Sequence, residues 1–237
     1  MRCPLRDLGV GSYSGLEEGS REKVFALFHM ARIAGAAPLP EVCADMCALV
    51  DGAQFQALVR RSRTLTEKIL LAIPDTYRSS IHDETLKLNS SENVRLGTMA
   101  SNINFPTAPV IKITSEKVPL ESSLILTHEG LQQHQALLSS ISPHLENKQR
   151  ATDLMNTVRD LAVQISKMLQ GLQTDYVLQT TPSPVALRLH GDFEVQVAAH
   201  LTLVQLQSLG QDVHRFLRGL DKSQQEETDS DLLTNLK

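Results

Sequence analysis

The sequence predicts an all-α protein, an up-up-down-down four-helix bundle with two long crossover connections. Three observations carry that expectation. Apolar residues recur at 3–4 spacing over four long stretches. Proline and polar clusters separate those stretches, and the separations run long, short, long. A short link joins antiparallel neighbours, whereas a connection far longer than a helical hairpin needs lets successive helices run the same way.

Composition bounds the rest. The 237 residues suit one domain with tails, or two small domains, and at 41% hydrophobic there is ample material for a core. Aromatic residues make up only 4% and Trp is absent, so Leu, Ile and Val must do the packing. The formal charge of −4 is dispersed, with no basic block of the kind that tracks phosphates. Three cysteines are too few for a disulfide scaffold, although Cys43 and Cys47, four apart, could be bridged locally. No apolar run is long enough to span a membrane.

Residues 1–37 read as a leader. Arg21 and Lys23, the apolar run from Val24 to Phe28 and the small residues Ala34 to Ala37 are the parts of a secretory signal peptide, interrupted by His29 and Arg32. A short amphipathic helix is the other reading of the same residues. The signal-peptide reading places cleavage after Ala36 or Ala37, and residues 38–49 then form a linker.

The first bundle helix is expected over about 50–73. Phe55, Leu58, Val59, Leu65, Ile69 and Ile73 form its apolar face, and Gln56, Arg60, Arg61, Arg63, Glu67 and Lys68 lie opposite. Pro74 predicts its end, because the residue before a proline is pushed out of the α region. Residues 74–118 show no sustained period apart from a short helix over about 92–103, where Val94, Leu96 and Met99 can pack. Asn89-Ser90-Ser91 is a glycosylation sequon, usable only on a secreted chain.

The second helix is expected over about 120–141, with Leu124, Leu131, Leu138 and Ile141 inward and Ser142-Pro143 at its end. The third, about 148–172, has the most regular pattern: Leu154, Val158, Leu161, Ile165, Met168 and Leu172 inward, and Asp153, Arg159, Asp160, Gln164 and Lys167 outward. Residues 173–190 form the second long connection. In the fourth helix, 191–220, Asp192 is the expected N-cap. Two apolar stripes follow, Phe193, Val197, Leu201 and Val204, then Leu206, Leu209, Val213, Phe216 and Leu220. Such wide apolar coverage predicts neighbours on several sides. The expected core joins Leu65, Ile69, Leu131, Leu138, Val158, Leu161, Ile165, Leu201, Val213 and Phe216. The tail, 221–237, is polar and predicted to be disordered.

Catalytic signatures are missing. There is no nucleophile elbow, P-loop, dinucleotide fingerprint or C-x-x-C, and no pair of Glu-x-x-His motifs for a di-iron bundle. His128, His134, His144, His200 and His214 read as surface or interhelical residues. No catalysis, metal or cofactor is expected.

Gly130-Leu131-Gln132-Gln133-His134, Leu137-Leu138 and Ile141-Ser142-Pro143 resemble the signature of the interleukin-6, granulocyte colony-stimulating factor and myelomonocytic growth factor family. That signature is Gly-Leu, two residues, an aromatic, three residues, then Leu. The fourth helix is similar through Leu206-Gln207-Ser208-Leu209 and Arg215-Phe216-Leu217-Arg218, and the third through Leu154, Val158, Asp160, Leu161, Ala162 and Ile165. Met99 to Asn104, followed by Phe105-Pro106-Thr107-Ala108-Pro109, resembles the close of the family's first crossover. The resemblance covers about residues 50–220. There are departures: His134 replaces the aromatic, and Ile113 and Ser123 stand where the family signature has cysteines, so its disulfide is missing.

The resemblance implies a secreted, glycosylated helical cytokine, monomeric before receptor assembly. Its partner would be a class I cytokine receptor similar to the granulocyte colony-stimulating factor receptor, and its effect growth and maturation of granulocyte-lineage cells. It also implies two receptor-binding faces. The main face joins the outer sides of the first and third helices. Asp160 matches one member of an acidic pair, Thr157 occupies the other's place, and Asp153 is a substitute one turn earlier. Gln56, Arg60 and Glu67 are candidates by expected exposure. The second face, at the end of the bundle, takes Phe193 with Glu92 and Arg95. A non-secreted helical adaptor and a lipid-binding amphipathic protein are the alternatives.

Overall fold

The structure, a computed structural model, describes residues 48–88, 96–107, 119–172 and 183–221. The leader, Cys43, Cys47, Asn89, Glu92, Val94, Arg95, Ile113 and the polar tail from residue 222 lie outside the described residues; Asp221, expected to begin that tail, is buried. All regular structure among the described residues is helical. The helices are α1 (Ala53–Ser80), α2 (Gly97–Asn102), α3 (Leu120–Ile141), α4 (Lys148–Gly171) and α5 (Asp192–Leu220), with a 3₁₀ turn, Ser142–His144, between α3 and α4.

α1 packs against α4 and α5, and α3 packs against the same two helices. Specific bonds give directions. At the start of α1, Gln56 donates from Nε2 to the carbonyl of Leu220, at the end of α5 (3.0 Å). At the other end, the backbone amides of His82 and Asp83 both donate to Gln196 Oε1, in the first turns of α5 (2.9 Å each). α1 and α5 therefore run in opposite directions. Arg150, in the first turn of α4, reaches Asp75 near the end of α1 at 3.6 Å, so this pair is antiparallel too. The short link over 142–147 turns α3 back into α4.

α1 runs six residues past the proline that was expected to end it, to Ser80. Pro74 removes one backbone donor and crowds the preceding turn, yet the helix continues because its last turns are buried. Thr76, Tyr77 and Ser80 lie in the interior, and Ile81 follows them. Tertiary packing outweighs the local preference.

The core is aliphatic, as the composition requires. Ile69, Ile73, Leu124, Leu131, Leu137, Leu138, Leu154, Leu161, Ile165 and Met168 are all fully buried. Burial of this kind is the main driving force, roughly 1.5–3 kcal/mol for each large side chain. Two expected core residues, Leu65 and Phe216, are only half-buried. Ser62 and Thr66 take the inward positions on α1, and Leu217 takes one on α5. Three buried threonine hydroxyls bond back four residues: Thr66 to Ser62 O (2.8 Å), Thr127 to Ser123 O (2.7 Å) and Thr202 to Ala198 O (2.8 Å), whereas the hydroxyls of Ser62 and Ser80 are buried without a partner among the described residues. The N-cap of α5 is Gly191, with no side-chain cap bond; Asp192 sits instead in the first turn, where its charge still complements the helix dipole.

The two connections meet at one end of the bundle. The amide of Arg188 donates to Ile103 O (3.0 Å), Asn104 Nδ2 to Ala186 O (3.2 Å) and Ser140 Oγ to Val185 O (2.8 Å). Asn104 takes a positive φ of 56° to end α2, a conformation that Asn tolerates better than most residues. Residues 183–190 are thereby strapped across α2 and the end of α3 before entering α5.

Candidate functional site

α4 supplies the clearest pair of candidate contacts. Asp153 and Asp160 are both exposed, and seven residues of helix put them on one stripe roughly 10 Å apart. Arg150, which reaches across to Asp75 of α1, marks the flank of α4 that faces α1. Helical geometry puts Asp153 and Asp160 on the outer edge of that same flank. Asp153 accepts from Gln149 Nε2 (2.8 Å). Among the described residues Asp160 makes no hydrogen bond or ion pair, so its carboxylate is available to a partner. Thr157, between them, is buried and bonds back to Asp153 O. Gln164, expected on the outer face, is buried as well.

The candidates on α1 do not gather beside this pair. Gln56, expected to be exposed, is only 6% exposed. Its amide donates to Val50 O and Leu220 O, which makes it an internal fastening between α1 and α5. A long polar side chain can be buried when its donors find carbonyls, and helical periodicity alone carries no sign of such partners. Glu67 is exposed but reaches His214 of α5 at 3.3 Å. Arg60, seven residues earlier, falls on the same stripe. Both point along the α5 side of α1, away from Asp153 and Asp160. Arg61 and Lys68 are exposed on the α4 side of α1, as is Asp75, which Arg150 reaches.

The second candidate face is represented by Phe193, 45% exposed in the first turn of α5. The Gln196 bonds to His82 and Asp83 fix that turn against the end of α1, and residues 183–190 fix it beside α2. Among the described residues Leu71 and Val163 are the other exposed large apolar side chains, and neither adjoins Phe193 in the fold.

Among the described residues three histidines are interior. Tyr77 and His200 form a hydrogen-bonded pair. Burial, with the charge of Asp83 adding to it, pushes the Tyr77 phenol up to about 12, so it stays protonated at neutral pH. His134 bonds to Gly130 O through Nδ1 (2.7 Å), which leaves Nε2 buried without a partner. Burial holds His134 down to about 4 against the opposing pull of that carbonyl. Burial also lowers His128, opposed by Glu129, and lowers His200. All three are neutral core residues at pH 7. Among the described residues no group of three or more His, Cys, Asp or Glu could hold a metal ion. No described helix is long and apolar enough to cross a membrane. No protein-family model matches the chain, and no curated protein matches it.

Proposed function

We propose that the chain is a secreted helical cytokine of the granulocyte colony-stimulating factor type, which binds a class I cytokine receptor and brings two receptor chains together. One observation carries the reading most: the pairing of the long helices. α1 and α3 each pack on α4 and α5, with antiparallel bonds at both ends of α1. Together with one short link and two long connections, this supports an up-up-down-down four-helix bundle, the architecture of helical cytokines. Activity of this type requires no reactive group. It requires a rigid body that presents two separate sets of contacts.

Asp153 and Asp160, with Arg61 and Lys68 across from them, form the main face in this reading. Phe193 anchors the second face at the end of the bundle. Gln56 has no place in it, and Arg60 and Glu67 lie to one side. The outcome would be growth and maturation of granulocyte-lineage cells.

The test is to apply purified chain to cells that carry a granulocyte colony-stimulating factor-type receptor and to matched cells that lack it. Receptor phosphorylation and proliferation confined to the receptor-bearing cells are expected. No response at any dose, with no binding to the receptor ectodomain, would remove the proposal.

A further inference from the structure

The fold assembles a basic surface that the linear sequence conceals. Gln56 bonding to Leu220 and Glu67 pairing with His214 fix the register of α1 on α5. That register sets Arg60 level with Arg218. The Asp75–Arg150 pair fixes α1 on α4 and brings Lys167 to within about one turn of the height of Arg60 and Arg61. Arg60, Arg61, Lys167 and Arg218 are exposed, and among the described residues none makes an ion pair. Arg63 and Arg215 lie in the same zone. The nearby acids are engaged: Asp221 by Arg63, Asp212 by Arg215 and Glu67 by His214. Asp160, about two turns from Lys167 along α4, bounds the zone on one side.

We propose that this belt, crossing α5, α1 and α4, binds a linear sulfated polysaccharide. Neighbouring helix axes are about 8–10 Å apart, so the belt runs roughly 16–20 Å. That is too long and too shallow for one small anion, and it fits a chain carrying a row of sulfates. Three of the four unpaired cations are arginines, whose planar forks bind oxyanions in bidentate fashion. A nucleic acid fits less well, because single strands are held by stacking bases on aromatic rings and the belt exposes none. The chain as a whole carries a formal charge of −4, so retention by a polyanion at neutral pH must come from this local arrangement.

The experiment passes purified full chain over immobilised heparin at neutral pH with a salt gradient. Elution above about 0.15 M salt is expected. Counterion release by four cations predicts a slope of log affinity on log salt near −3, taking a single-strand-like polyanion. The double variant Arg60→Gln, Arg218→Gln should bind at least tenfold more weakly with about half that slope, while Arg78→Gln, at the far end of α1, elutes like wild type. Desulfated heparin should not retain the chain. Flow-through of wild type at about 0.15 M salt overturns the proposal. So does unchanged elution of a double variant whose helical circular dichroism is intact, or tighter binding to a single-stranded oligonucleotide than to heparin. None of these outcomes depends on a receptor.

Discussion

The hydroxyl of Tyr77 lies 2.8 Å from Nδ1 of His200, with the two rings edge to face at a centroid distance of 5.7 Å. The pair joins the part of α1 beyond Pro74 to α5, and His200 is fully buried. Tyr77→Phe keeps the ring and deletes one partner of a buried imidazole. It should lower unfolding free energy by about 1–2 kcal/mol in urea denaturation. An unchanged midpoint would show that the hydroxyl contributes nothing.

Pro74 lies inside α1, where proline cannot donate to the carbonyl four residues earlier. Pro74→Ala should restore that bond and stabilise the protein. Part of the gain is offset, because proline also restricts the unfolded chain by about 0.4–1 kcal/mol. A net increase of roughly 1–2 kcal/mol is expected. A decrease would mean that the proline itself is needed to seat Tyr77.

The histidines predict the acid limit of stability. His134 has a folded pKa of about 4, below its ordinary value of 6.5, because it is buried. Between those values the unfolded chain binds the proton and the folded chain does not. The contribution is therefore complete above about pH 6.5 and is lost as pH falls towards 4, on the order of 3 kcal/mol from this residue. His128 and His200, shifted in the same direction, steepen the loss. Denaturation at pH 7 and pH 4.5 measures it. His134→Phe, which places an aromatic where the resembled signature has one, should make the two curves closer. Equal stability of wild type at both pH values would contradict the assignment of buried neutral imidazoles.

Leu161 and Ile165 are both buried in the middle of α4. Replacing either by Ala should cost about 2–5 kcal/mol, through lost transfer energy and the cavity left behind. A cost below about 1 kcal/mol would mean that the surroundings collapse freely around the site, contrary to an interior packed on both sides.

The sequence located α3 and α4 nearly to the residue, because Ser142-Pro143 and the regular 4-3-4 spacing around Leu154, Val158, Leu161 and Ile165 are local signals. It placed the end of α1 wrongly, because the burial of Tyr77 that carries the helix past Pro74 depends on His200, far along the chain. Gln56 and Gln164 read as surface for the same reason: what makes a buried amide tolerable lies on other segments. Ser62, Thr66 and Leu217 displaced Leu65 and Phe216 from the interior through a modest rotation of each helix, which a repeating apolar pattern leaves undetermined. The exposure of Asp160 was legible, since it follows directly from the helical stripe; that of Phe193 was not, because the stripe groups it with the buried Val197 and Leu201 and only the resemblance marked it as a candidate. The basic belt was not, because Arg60 and Arg218 meet only through the antiparallel pairing of α1 and α5.

The receptor reading is tested most directly by mixing purified receptor ectodomain with wild type, Asp160→Ala and Phe193→Ala, and measuring complex mass and signalling at limiting dose. Wild type should yield a complex holding two receptor chains. Asp160→Ala should weaken first binding by roughly 1–3 kcal/mol without loss of fold. Phe193→Ala should bind a first receptor chain normally, fail to pair it with a second and lose signalling. Wild type that forms no complex, or two variants that both pair and signal like wild type, would contradict the account.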